Sequence, residues 1–206
     1  MSKFFRLNNI SNWQSRSEFG RARGHQDRSR LEYNFDEQVL YYLSEKVINH
    51  LLDSLELEKQ CNEQWRNNFS DFSFLTAPAY KAFEGFLFQI AKDLDLPSSG
   101  DPKFVGTYFD EEKVDKTIDK LLKELEAKSE KESKLSRQEK QHIKDMIKEM
   151  KRFLVHYRHT PAHFHGETMD TIEKAKQNTA SMYRIINETV KVLLKVNLVT
   201  INDEVH

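Results

Sequence analysis

Apolar residues return at three- and four-residue spacing through most of the chain, and that period predicts helices. The first run starts at Phe35 with Asp36 as N-cap, and carries Val39, Leu40, Leu43, Val47, Leu51 and Leu55 before fading near Gln60. A second begins at LTAPAYKAFEGF, where Pro78 suits the first helical position with Thr76 or Ala77 before it, and extends to about Leu94. PSSGDPKFVG, residues 97–106, is a loop by its turn residues. A third helix is expected from near Asp110, with Val114, Ile118, Leu121, Leu122 and Leu125 on one face. The fourth carries Ile143, Met146, Ile147, Met150, Phe153, Leu154 and Tyr157, and Ser136 with Glu139 suits a capping box at its start. A fifth, from about Thr168 to Val196, turns Ile172, Ala175, Met182, Ile185, Ile186, Val190, Leu193 and Leu194 inward. The closing VNLVTINDEV either adds a short strand or frays. There is no internal repeat. The fold class is therefore all-α, a bundle of about five helices.

Charge divides the chain further. Between Asp110 and Arg152 there are 12 acids and 13 bases in 43 residues, many of opposite sign three or four apart. Such spacing predicts an exposed, salt-bridged helical hairpin. Residues 126–140 have no hydrophobic stripe and form its expected tip. Residues 1–35 hold seven Lys or Arg against three acids, with Asn, Ser and Gly and no sustained period. They read as a basic N-terminal extension, or equally as a solvated leader or part of an upstream domain, and residues 36–206 read as the helical domain.

At 206 residues the chain suffices for one sizeable domain. Apolar residues at 38%, charged residues at 32%, six glycines and four prolines favour helices over a sandwich or barrel. A net charge of -1 means that any contact with nucleic acid needs a local patch. Cys61, the only cysteine, excludes an internal disulfide and a multi-cysteine zinc site, which fits a reducing compartment. No apolar run approaches the roughly 18 residues that span a bilayer, and MSKFFRLNN is too polar for a signal-peptide core. The cytoplasm is the expected location.

The densest chemistry lies in YRHTPAHFHGE, Tyr157 to Glu167. Pro161 ends the fourth helix near Arg158, because proline lacks the amide hydrogen and clashes with the preceding turn, and it pushes Thr160 toward extended geometry. On an unbroken helix Arg158 and His163 would point about 140° apart, from ~100° per residue. With the helix broken, both side chains can turn toward one point. An arginine there can hold a phosphodiester and stabilise its added charge, while a histidine moves the proton. That pairing suits RNA cleavage by its own 2'-hydroxyl and needs no metal or other cofactor. The rival is a metal centre on His156, His159, His163 and His165, against which stand the absence of HExxH and a proline-broken loop.

RHTPAH matches the Arg-x4-6-His signature of the HEPN superfamily of helical ribonucleases, which the chain resembles over roughly Phe35 to Val196, with His159 in the polar position after the arginine. PAYKAFEGFLFQIAKDLDLP, residues 78–97, is similar to the glutamate-bearing helix of the RnlA/LsoA-type toxins, and Glu84 takes the place of that glutamate. The residues themselves agree that Glu84 is unusual. It lies between Tyr80 and Phe88 with Phe83 and Leu87 alongside, where a carboxylate is expected to meet a partner charge, and Gly85 beside it permits close approach by another element. The resemblance implies a HEPN-like bundle and a metal-independent endoribonuclease, toxic when unrestrained, whose site forms where two copies meet. Arg158 would bind the scissile phosphate, His163 would act as general base or acid, Glu84 would orient one of them or assist proton transfer, and His159 would hold the local geometry. A homodimer, an RNA substrate and a restraining protein antitoxin are the implied partners. Two features depart from the pattern. His165 stands where HEPN toxins paired with a nucleotidyltransferase antitoxin carry a modified tyrosine, and the extra N-terminal domains of the longer toxins are absent. The alternative is a non-enzymatic helical module for dimerisation or partner binding.

Overall fold

The computed structural model describes residues 28–61, 68–93, 136–153, 169–197 and 199–200. All regular structure among them is helical, with no strand. Five α-helices follow in chain order: α1 (Glu37–Tyr42), α2 (Glu45–Gln60), α3 (Ala77–Asp93), α4 (Arg137–Phe153) and α5 (Ile172–Lys195). Short 3-10 turns at Arg28–Leu31 and Ser73–Thr76 precede α1 and α3.

The run expected as one helix from Phe35 to Gln60 is two. Leu43 and Ser44 are extended, with ψ of 135° and 151°, so the chain breaks between α1 and α2. Leu40, Leu43, Val47 and Leu51 keep helical spacing across the break and all are buried, which is why the apolar pattern alone conceals it. A side chain from another helix satisfies the interrupted backbone. Gln89 of α3 donates from Nε2 to the Tyr42 carbonyl (2.7 Å) and accepts from the Ser44 amide at Oε1 (2.9 Å). Asp36 stands at the N-cap of α1, yet its side chain makes no capping bond there. Its carboxylate pairs with Lys191 (3.1 Å) and its amide donates to Asn187 Oδ1 (2.9 Å), tying the start of α1 to α5.

Other expected ends sit close to their places. Pro78 is the second residue of α3, since the helix starts at Ala77 directly after the 3-10 turn. The capping box of α4 is formed: the Glu139 carboxylate accepts from both the amide and the hydroxyl of Ser136 (2.8 Å each), and Ser136 Oγ accepts from the Glu139 amide (3.2 Å). Thr171 caps α5 by accepting from the Lys174 amide (3.2 Å). After α5, Asn197 takes a left-handed φ of 54° and turns the chain so that Val199 packs into the core. The third helix expected from Asp110, the loop at 97–106 and the hairpin tip before Ser136 lie outside the described residues.

The packed body begins upstream of residue 36. Leu31 and Phe35 are core residues, Phe35 stacks at 5.3 Å on Tyr183, and Arg28 donates to the Leu40 carbonyl (3.1 Å). The main core joins α1, α2 and α3 to one face each of α4 and α5. Gly85 lets α2 and α3 approach closely, for a Cβ there would stand 3.1 Å from Val47 Cγ2. A smaller cluster of Phe72, Leu75, Met169, Ile172 and Ala175 closes one end of α5. No helix among the described residues is long and apolar enough to cross a membrane.

Candidate functional site

Glu84 is the one candidate residue that falls among the described positions; Arg158, His159 and His163 lie outside them, as does the histidine cluster of the rival metal reading. Glu84 sits midway along α3. The buried residues of that helix are Ala79, Ala82, Phe83, Phe86, Leu87, Ile90 and Ala91, while Ala77, Lys81 and Glu84 are exposed. The neighbouring aromatics do not enclose the carboxylate. Tyr80 and Phe88, one turn to either side, are themselves only half-buried and flank Glu84.

Packing fixes what surrounds this edge. Phe153, the last residue of α4, sets its ring against Phe83 with centroids 5.1 Å apart and planes at 62°. The C-terminal end of α4 is thereby packed on the buried face of α3, at the residue that precedes Glu84 in sequence. Where the described chain resumes, the Met169 carbonyl accepts from the Phe72 amide (2.8 Å), just before the turn that opens α3. Residues 154–168 are therefore flanked by two anchors, one on α3 and one on the turn leading into it.

A polar link on the buried side of this region escapes the apolar pattern. Asn178, on the inward face of α5, donates from Nδ2 to the Tyr80 hydroxyl (3.1 Å), while its buried Oδ1 has no hydrogen-bond partner. Asn178, Thr179 and Thr189 are all buried on α5, interrupting a stripe otherwise read as apolar. An asparagine at a core position of a predicted helix is the sequence signal that would find this link.

Two further features stand apart from Glu84. A cleft of about 360 Å³ is lined by Tyr33, Leu55, Glu58, Lys59, Lys176 and Tyr183 among others, and Glu84 does not contribute to it. His50 is partly buried on α2, and burial lowers its pKa; Lys81 and Lys46 add to that effect and Asp53, at 3.9 Å, opposes it. No family model, curated protein or solved structure matches this chain.

Proposed function

We propose that the chain is a metal-independent endoribonuclease, a toxin or abortive-infection effector whose site combines Arg158, His163 and Glu84 and is completed by a second copy. The observation that carries the reading is the Phe83–Phe153 contact, which packs the end of α4 on the residue that precedes Glu84, five residues before Arg158 in sequence. The all-helical core is consistent with a HEPN-like bundle, and the exposed edge of α3 leaves Glu84 within reach of a ligand.

In this mechanism the 2'-hydroxyl of the RNA attacks its own phosphorus, the bond to the 5'-oxygen breaks, and the products are a 2',3'-cyclic phosphate and a 5'-hydroxyl. His163 takes the proton from the attacking hydroxyl or gives one to the departing oxygen. Two copies of His163 across a dimer supply both. Arg158 holds the phosphate and stabilises the charge that grows on it, and Glu84 orients the arginine or the histidine. His159 supports the local geometry.

The test is purified chain with a mixed RNA pool and no added metal, beside Arg158→Ala and His163→Ala. Cleavage leaving cyclic phosphate ends is expected from the parent and should fall at least about a hundredfold in each variant, the usual scale for acid–base and charge-stabilising groups, with an unchanged helical signal. Variants that cleave as well as the parent overturn the reading. A parent that never cleaves but self-associates favours the helical partner-binding module instead.

A further inference from the structure

The charges of α4 are sorted by sign around the helix. At ~100° per residue, Arg137, Lys140, Lys144, Lys148 and Arg152 all fall within an arc of about 120°. Glu139, Asp145 and Glu149 fall on the other flank. Opposite-sign residues three apart are present, as Asp145 with Lys148 and Glu149 with Arg152, yet neither pair forms an ion pair among the described residues. Lys140, Lys144, Lys148 and Arg152 follow one another at four-residue spacing, which on a helix sets like charges side by side.

The two flanks also differ in how they are used. Each acid has a partner in the protein: Glu139 is held by Ser136 (2.8 Å), Asp145 accepts from Gln141 (2.9 Å), and Glu149 accepts from Arg184 of α5 (2.6 Å). Lys144, Lys148 and Arg152 form no ion pair among the described residues, and Lys148 and Arg152 are exposed. A row of neighbouring cations raises the local potential, and a polyanion laid along it relieves their mutual repulsion.

We infer that this face of α4 is an RNA-binding track on which Lys144, Lys148 and Arg152 each meet a backbone phosphate. Successive cations are about 6 Å apart along the axis, from ~1.5 Å rise per residue, a spacing that suits consecutive phosphates of an extended strand. The row runs toward the C-terminal end of α4, where Phe153, on the other side of the helix, packs on Phe83 of α3. The choice of RNA as the polyanion rests on the ribonuclease reading. The charge sorting does not.

The experiment uses the full chain and a labelled, unstructured 2'-O-methyl RNA, whose blocked 2'-hydroxyls allow binding to be read without cleavage. In the triple variant Lys144→Gln, Lys148→Gln, Arg152→Gln, affinity should fall about tenfold or more at low salt. The slope of log K against log salt should shrink by about 2, near ~0.7 for each lost contact to a single strand. Circular dichroism should show the helices retained. Unchanged RNA affinity and slope overturn the inference, and so does an equal loss of binding to polyglutamate, which would mark a site for an acidic protein. If the parent cleaves and His163→Ala does not, while the triple variant binds as the parent does, the ribonuclease reading stands and the track falls. If RNA binding depends on the row but the parent never cleaves, the track stands and the ribonuclease reading falls.

Discussion

Gly85 shows how one missing side chain sets the distance between two helices. A Cβ at that position meets the Val47 methyl at 3.1 Å, and Val47 is a stiff, fully buried β-branched residue. Alanine in mid-helix is worth about 1 kcal/mol over glycine, so in Gly85→Ala the gain and the crowding oppose each other. The expected result is a denaturation midpoint close to that of the parent. In a Val47→Ala background the crowding is gone and the same substitution should stabilise by about 1 kcal/mol, a difference that a double-mutant cycle measures directly. The glycine is plain in the sequence, and its use as a point of close approach follows from its neighbours. That the approaching element is α2, and Val47 in particular, depends on which helices pair. Glu84 differs. Its aromatic neighbours suggest a carboxylate that meets a partner charge, and on the folded helix Glu84 is exposed between half-buried Tyr80 and Phe88.

At the level of elements, the break between α1 and α2 is the clearest case of a tertiary contact choosing the local structure. Ser44 is an acceptable N-cap residue, but its side chain makes no capping bond. The Gln89 amide from α3 serves both sides of the break instead. Gln89→Leu removes a donor and an acceptor together. It should cost about 1–2 kcal/mol in urea unfolding, since each lost bond is worth about 1 kcal/mol and the exposed Ser44 amide can turn to water. A cost near zero would show that the break stands without this bridge. Nearby, the Tyr42 hydroxyl donates to Asp93 (2.7 Å), and burial with that carboxylate raises the tyrosine pKa well above its usual value. The caps of α4 and α5 behave oppositely to the break. Ser136 and Glu139 act within three residues of themselves, so the sequence places them, while Thr171 caps α5 three residues beyond the start expected at Thr168.

Across the whole molecule, two buried tyrosines and a partly buried histidine each make stability depend on pH. Tyr183 is pushed up to about 12, chiefly by burial, and Tyr42 is raised as well. A tyrosine with a raised folded pKa ionises first in the unfolded chain, so its contribution is complete below about pH 10 and is lost as pH climbs toward the folded value. The thermal midpoint should therefore fall above about pH 10. Tyr183→Phe should make that fall shallower while changing the neutral-pH midpoint little, because the hydroxyl's bond to the Leu51 carbonyl is long at 3.5 Å. His50 acts at the other end. Its lowered pKa means that the unfolded chain takes up the proton first, so stability present above about pH 6.5 is lost below it. By itself the sequence determined the all-helical class, the places of most described helix ends and the inward positions of α4 and α5, because spacing, caps and helix starts act over a few residues. It also supplied the Arg158, His163 and Glu84 hypothesis. The tertiary structure alone decided the break at Leu43–Ser44, the inclusion of Leu31 and Phe35 in the core, the Asn178–Tyr80 link and the meeting of Phe153 with Phe83. Each of these joins residues far apart in the chain, and only packing brings them together.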